Sequence, residues 1–230
     1  MNGTFFYIGL GLGLAAACGL RPFFPLLLAG ALASAGALGV ELGPAGQAFH
    51  FLEADWWLLV VTVALVLAYA LQLLLGLAPT LDTASTQLPS GSFAAALTLL
   101  GLRGQRRRQD ALASAVAGLG LGAGALLFEA TLSAHGDSSW PGLIGGFLVV
   151  GLAQRASGPV IVRARTRLPD RAAREAVTVY LDAASLLLAG LVALVHPLGY
   201  VAVALLAWFL WRGRARSGDD RYAGLRILRK

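Results

Sequence analysis

Charge is scarce in this chain of 230 residues: only 13% of them are Asp, Glu, Lys or Arg, against 57% hydrophobic. With a mean hydropathy of +0.73, that balance excludes an ordinary soluble domain. No polar stretch is long enough to fold as a separate soluble domain. The single cysteine, Cys18, excludes an intrachain disulfide and reads as a small packing residue. His50, His135 and His196 lie in separate loops without HExxH, CxxC or a carboxylate cluster, so no metal site is expected. No P-loop, GxSxG or Asp-rich phosphotransferase pattern occurs either, and neither an enzyme nor a cofactor is expected. The N-terminal MNGTFFYIGLGLGLAAACGL lacks a basic region, so its apolar run is expected to remain as the first helix rather than serve as a cleaved signal.

What the chain does have is a series of apolar runs approaching the roughly 20 residues needed to cross about 30 Å of hydrocarbon. The expected fold is all-α: a polytopic helical membrane protein of about eight hydrophobic segments. They fall near residues 4–20, 22–40, 56–76, 91–102, 111–133, 141–155, 175–194 and 198–211. The fourth is short enough to be a tilted span or half of a re-entrant hairpin. If it crosses, both termini share one side; if it re-enters, they do not. Lys230 is the sole lysine beside 17 arginines, which apart from Arg21 cluster at residues 103–108, at 155–174 and in the tail from Arg212. The positive-inside rule places all three clusters, and the C-terminus, in the cytoplasm. The net charge of +6 therefore reports orientation in an inner membrane and contact with anionic lipid headgroups, with no nucleic-acid partner expected. Trp56, Trp57, Trp140, Trp208 and Trp211 at span ends read as interfacial anchors.

An internal repeat is suggested by GLGLG at residues 9–13 and again at 118–122, each opening a long run whose successor starts at Pro22 or Pro141. Two four-helix halves, 1–104 and 110–212, would then share one orientation within a transmembrane domain of residues 1–212, followed by a basic tail, 213–230. Chance recurrence in a chain so rich in glycine and leucine is the competing explanation. Gly9 with Gly13, and Gly118 with Gly122, have the spacing for close helix packing, within one chain or between two in a homodimer.

Arg21 is the most informative residue. A guanidinium that cannot lose its proton costs at least about 2.5–3.5 kcal/mol at mid-bilayer, so it is paired, hydrated or used, unless it ends a helix and reaches a headgroup. Counting from the two glycine runs gives Glu129 nearly the same depth as Arg21, so the two are expected to face each other as an ion pair or as the two walls of a polar pathway, unless Glu129, near the outer end of its helix, simply reaches the interface. Asp182, set well inside its apolar run, is the candidate proton-titrating carboxylate, or else bonds to Ser185. Tyr69 and Gln72, three apart on one helix face, are expected to join this polar interior. Asp82 lies in a break rich in Pro, Ser and Thr that is either an ordinary loop or cavity-lining backbone.

GLGLGLAAACGLRPFFPLLLAG, the Pro-x-x-Asp from Pro79 to Asp82, and the Asp182 helix followed by a basic tail resemble a bacterial membrane-protein family without an assigned activity, the domain of unknown function forty-one twenty-six. The resemblance extends over most of the chain. It implies the architecture and supports the weight on Arg21, but supplies no reaction. The charged residues that often precede Pro-x-x-Asp in that family are replaced here by LQLLLGLAP, in which Gln72 is the only polar side chain. The functional expectation is a small transporter or channel for a polar or anionic solute or a lipid headgroup. A membrane scaffold or accessory subunit with purely structural charges is the alternative.

Overall fold

The computed structural model describes residues 3–43, 49–77, 114–136, 138, 140–168 and 171–226. The described residues form seven α-helices and no strand: α1 (Thr4–Leu20), α2 (Phe23–Ser34), α3 (Asp55–Leu77), α4 (Ser114–Ser133), α5 (Trp140–Arg167), α6 (Arg171–Leu194) and α7 (Leu198–Arg226). A short 3-10 turn, His50–Glu53, precedes α3. The fourth expected segment, residues 91–102, and Asp82 lie outside the described residues.

α1 is the axis of the bundle. Almost every residue from Gly9 to Gly19 is buried, the pattern of a helix enclosed on all sides. Its glycines let neighbours approach the backbone. A Cβ on Gly9 would meet the His196 carbonyl, on Gly11 the Phe128 ring, on Gly13 the Val192 side chain and on Gly19 Ala153. Gly199 of α7 lies directly on the backbone at Gly9 and Gly13.

These contacts also give the helix directions. Gly13 and Gly9 meet Val192 and His196 in turn, so α1 and α6 are antiparallel, while Leu28 lies at Gly190 and Arg21 at Asp182, so α2 runs along α6. α1 and α2 therefore form a hairpin whose tip is Arg21–Pro22. The tip arises because Arg21 leaves the helix in an extended conformation and Pro22 starts the next one, a position proline suits. α2 stops at Ser34, where Gly36, Leu38 and Gly39 adopt positive φ. α4 runs against α1: Gly120 lies on Cys18, Gly124 on Ala15, and Phe128 on Gly11. α5 returns, α6 goes out again and α7 comes back. Arg167, Arg171 and Arg212 thus share one face, and Thr4, His135 and His196 share the other.

Three helical stretches, Ser114–Ser133, Trp140–Ala164 and Ala176–Leu194, are long and apolar enough to cross a membrane. Trp56, Leu59, Val63, Val66 and Leu67 form one exposed face of α3, and Leu187, Leu191 and Leu194 one of α6. Such apolar stripes exceed what a soluble monomer ordinarily shows to water, whereas lipid tails solvate them at no penalty. This is a helical membrane protein.

The structure corrects two expectations. Eight spans are not found among the described residues: beside the three long ones, the apolar stretches Thr4–Leu20, Phe23–Ser34, Asp55–Leu71 and Leu198–Arg212 are shorter, and the fourth expected segment lies outside the described residues. The glycine runs also do not share one orientation, since α1 and α4 are antiparallel. Nor are they equivalent in packing. Gly118 and Gly122 have no neighbour within 4 Å of an added Cβ, whereas Gly120 and Gly124 press on α1. Helix packing in α4 uses the glycines one step out of register with those expected.

Gly11→Leu is expected to cost about 1–3 kcal/mol or more by overpacking against Phe128 and Thr131. Gly118→Ala and Gly122→Ala, having open space, should hold or slightly raise stability through helix propensity. Thermal unfolding of the purified variants in detergent, followed by size-exclusion profile, checks both.

Candidate functional site

The hairpin tip carries the site. Arg21 is oriented by its backbone N–H, which donates to the Ala17 carbonyl at 3.0 Å and closes the last turn of α1. Its side chain then reaches α6, where Nε lies 3.2 Å from Asp182 Oδ1, with 15% of the Arg21 side chain and 9% of the Asp182 side chain accessible. Asp182 stands at mid-helix, twelve residues before Leu194 and so about 18 Å from that end at 1.5 Å per residue. Its second oxygen, Oδ2, accepts the hydroxyl hydrogen of Tyr69, which arrives from α3. Ser185 is fully buried one turn further on and donates to the backbone carbonyl of Asp182 at 2.8 Å, leaving the carboxylate to Arg21 and Tyr69.

Three elements thus converge on one carboxylate. The arrangement satisfies the physical requirement on a charge at membrane depth, that it be paired and hydrogen-bonded. Arg21 finds no further partner among the described residues, so most of its five N–H donors are uncommitted while its charge is compensated. Such a group can hold a structure closed, or can be released to an incoming anion.

The structure separates the remaining sequence candidates. Glu129 does not meet Arg21 and has no hydrogen bond or ion pair among the described residues. Counting from the two glycine runs placed it at equal depth, but α4 runs against α1, so Glu129 lies near the level of Gly11 and far from the tip. Its backbone packs against Gly142 of α5. Gln72 follows Tyr69 by three residues on α3. Asp82 falls outside the described residues. Of the tryptophans, Trp56, Trp140 and Trp211 are exposed, Arg212 lies 5.2 Å over the Trp208 ring, and Trp57 packs edge-on to Phe51.

A second polar cluster on the opposite face was not read from the sequence. The segment after α2 folds back as a cap: Val40, Leu42 and Leu52 are at most 1% exposed. The Leu42 N–H donates to Glu53 Oε1 at 3.2 Å, and His50 Nδ1 is 3.5 Å from Glu53 Oε2. Glu41 approaches His135 Nε2 at 3.8 Å, His135 Nδ1 donates to the Thr131 carbonyl at 2.9 Å, and the His135 ring stacks on Tyr7. His196, in the turn between α6 and α7, is half-buried. Burial, and secondarily His135, hold its imidazole below the ordinary histidine value. No spacing rule links residues so far apart in sequence, so only the helix directions could have revealed this cluster. Among the described residues no group of three or more His, Cys, Asp or Glu side chains could hold a metal ion.

A scan against protein-family models, a search of curated proteins and a search of solved structures each return no match to this chain. The class of protein is therefore defined by its own architecture, a helical membrane protein with a charged hairpin tip in its interior.

Two outcomes are expected. Removing one partner of the tip pair, by Arg21→Gln or Asp182→Asn, should cost toward the lower end of about 3–5 kcal/mol, given the residual accessibility, and the double variant much less than the sum. Thermal unfolding of the four proteins in one detergent measures the coupling. At the opposite face, a folded-state value below 6.5 means that the unfolded chain binds more protons as the pH falls. Stability at His196 is thus complete above about pH 6.5 and declines below it, and His196→Asn should flatten the decline in melting temperature between pH 7 and 5.

Proposed function

We propose that this chain is a small membrane transporter or channel for a polar or anionic solute or a lipid headgroup, with Arg21 as the anion-binding group. The observation that carries the reading is the position of Arg21 at the tip of an intramembrane hairpin, compensated by Asp182 and steadied by Tyr69. Broken helices with charged residues at the break line many solute pathways, because irregular backbone at depth needs a partner or a cavity. Asp182 serves as counter-charge and proton-coupling group. Gln72 and Asp82 belong to the polar pathway only by their place in the sequence. The arginine-rich face is cytoplasmic by the positive-inside rule, with anionic headgroups at its loops and the N-terminal end of α1 outside. An inner bacterial membrane and kinship with the domain of unknown function forty-one twenty-six belong to the same reading.

One observation favours a second reading, a scaffold or accessory subunit: both carboxylate oxygens of Asp182 are engaged within the protein, as in a purely structural lock.

Water access decides between them. In a Cys18→Ala background, single cysteines at Leu20, Phe23 and Phe24 are expected to react with a membrane-impermeant maleimide from the arginine-rich side, in cells or oriented vesicles. Silence at all three positions in a folded protein would retire the pathway and leave the scaffold.

A further inference from the structure

Two opposite charges and one hydroxyl meet at the hairpin tip, and their chemistry limits how an anion could bind there. With Asp182 ionised, the site already sums to zero charge, and an arriving anion would meet a carboxylate 3.2 Å from the guanidinium it seeks. Like charges in a poorly solvated interior repel strongly, and a net charge left at membrane depth is costly. If Asp182 carries a proton, the same site offers an uncompensated guanidinium, and binding one anion returns the sum to zero. The Tyr69 hydroxyl can both donate and accept, so its bond to Asp182 Oδ2 survives the change by reversing direction.

Among the described residues no other group relieves the constraint. α2 contributes no titratable side chain, and α1 adds only the buried thiol of Cys18 near the tip. On α3, Asp55 lies fourteen residues before Tyr69, about 21 Å away along the helix. Glu129 on α4 lies at the other depth. Arg155 of α5 is exposed, and α7 carries no charge between Leu198 and Trp211. On α6 itself, Glu175 precedes Asp182 by about two turns. Among the described residues, Arg21 and Tyr69 are the side chains that reach the Asp182 carboxylate.

We propose that Arg21 takes a monovalent oxyanion, a carboxylate or a phosphate mono-anion, only together with one proton delivered to Asp182, so that anion and proton occupy the site as a neutral pair. The inference rests on the transporter reading for its setting, and it adds the substrate class and the one-to-one stoichiometry of anion and proton. The balance is simple: the Asp182 carboxylate gains a proton from solution, the Arg21–Asp182 ion pair is replaced by an Arg21–oxyanion pair, and no net charge is added. Uncommitted N–H donors on the guanidinium match two oxygens of such an anion.

The test uses the full-length protein in nanodiscs of phosphatidylcholine, titrated with inorganic phosphate and with acetate in buffers of different ionisation enthalpy. A second preparation containing phosphatidylglycerol asks whether a headgroup phosphate already occupies the site and competes. Expected are uptake of close to one proton per acetate, the same for phosphate after allowance for the proton that converts its dianion to the mono-anion, and an affinity for acetate that weakens about tenfold per pH unit above the titration of Asp182. Asp182→Asn should keep anion binding and lose the proton uptake, whereas Arg21→Gln should abolish binding. Because Arg21→Gln leaves a buried carboxylate unpaired, the double variant, which buries no charge, should fold and also fail to bind. Binding without proton uptake, equal loss in Asp182→Asn and Arg21→Gln, or no binding of either anion with no competition from phosphatidylglycerol would each overturn the proposal. Solute flux without proton linkage would sink the coupling and leave the transporter; proton-linked binding without flux would do the reverse.

Discussion

A charge inside a membrane protein has to be answered within a few ångströms, and the ion pair of Arg21 with Asp182 is that answer here. The guanidinium cannot be neutralised by losing its proton, so the chain has to bring a carboxylate to it. Meeting that demand fixes the register of α6 against the α1–α2 hairpin and draws Tyr69 in from α3. The rest of the packing is compatible with this register because α1 presents glycine and alanine on nearly every side. Side-chain-free surfaces slide; a charge pair does not. Small residues supply proximity, and the ion pair selects one among several close arrangements.

Much of the architecture was legible in the sequence because apolar length and breaker residues are local signals. Arg21–Pro22 marks a helix boundary as expected, and the alternation of the C-terminal helices follows from loops free of Lys and Arg at one face and loops rich in arginine at the other. Helix ends were less legible. α5 continues through Pro159 to Arg167, and α7 runs on to Arg226, since a helix leaving the hydrocarbon can continue in water with a polar sequence. α2 ends several residues before the expected Val40, at a run of positive-φ residues.

The partner of Arg21 was misassigned for a physical reason. The two GLGLG runs are alike as strings, and likeness of strings says nothing about direction in space. Once α1 and α4 run oppositely, equal counts from each glycine run lead to opposite depths, and Glu129 moves away from the tip as Asp182 comes to it. Asp182 and Tyr69 were legible as members of a polar interior from their depth. Their meeting on one carboxylate was not, because it depends on how three helices lie together.

The central position of α1 also bears on how the protein comes to exist. α1 leaves the ribosome well before three of the helices that enclose it, α5, α6 and α7. Until they emerge, Arg21 lacks the Asp182 carboxylate and Gly9, Gly13 and Gly19 lack the neighbours that close on them. Folding therefore cannot proceed outward from a finished N-terminal half; contacts distant in sequence have to close late and together. The nascent hairpin, with an unanswered cation at its tip, is suited to wait at the membrane boundary, where the guanidinium can stay hydrated, and to settle at depth only when α6 arrives.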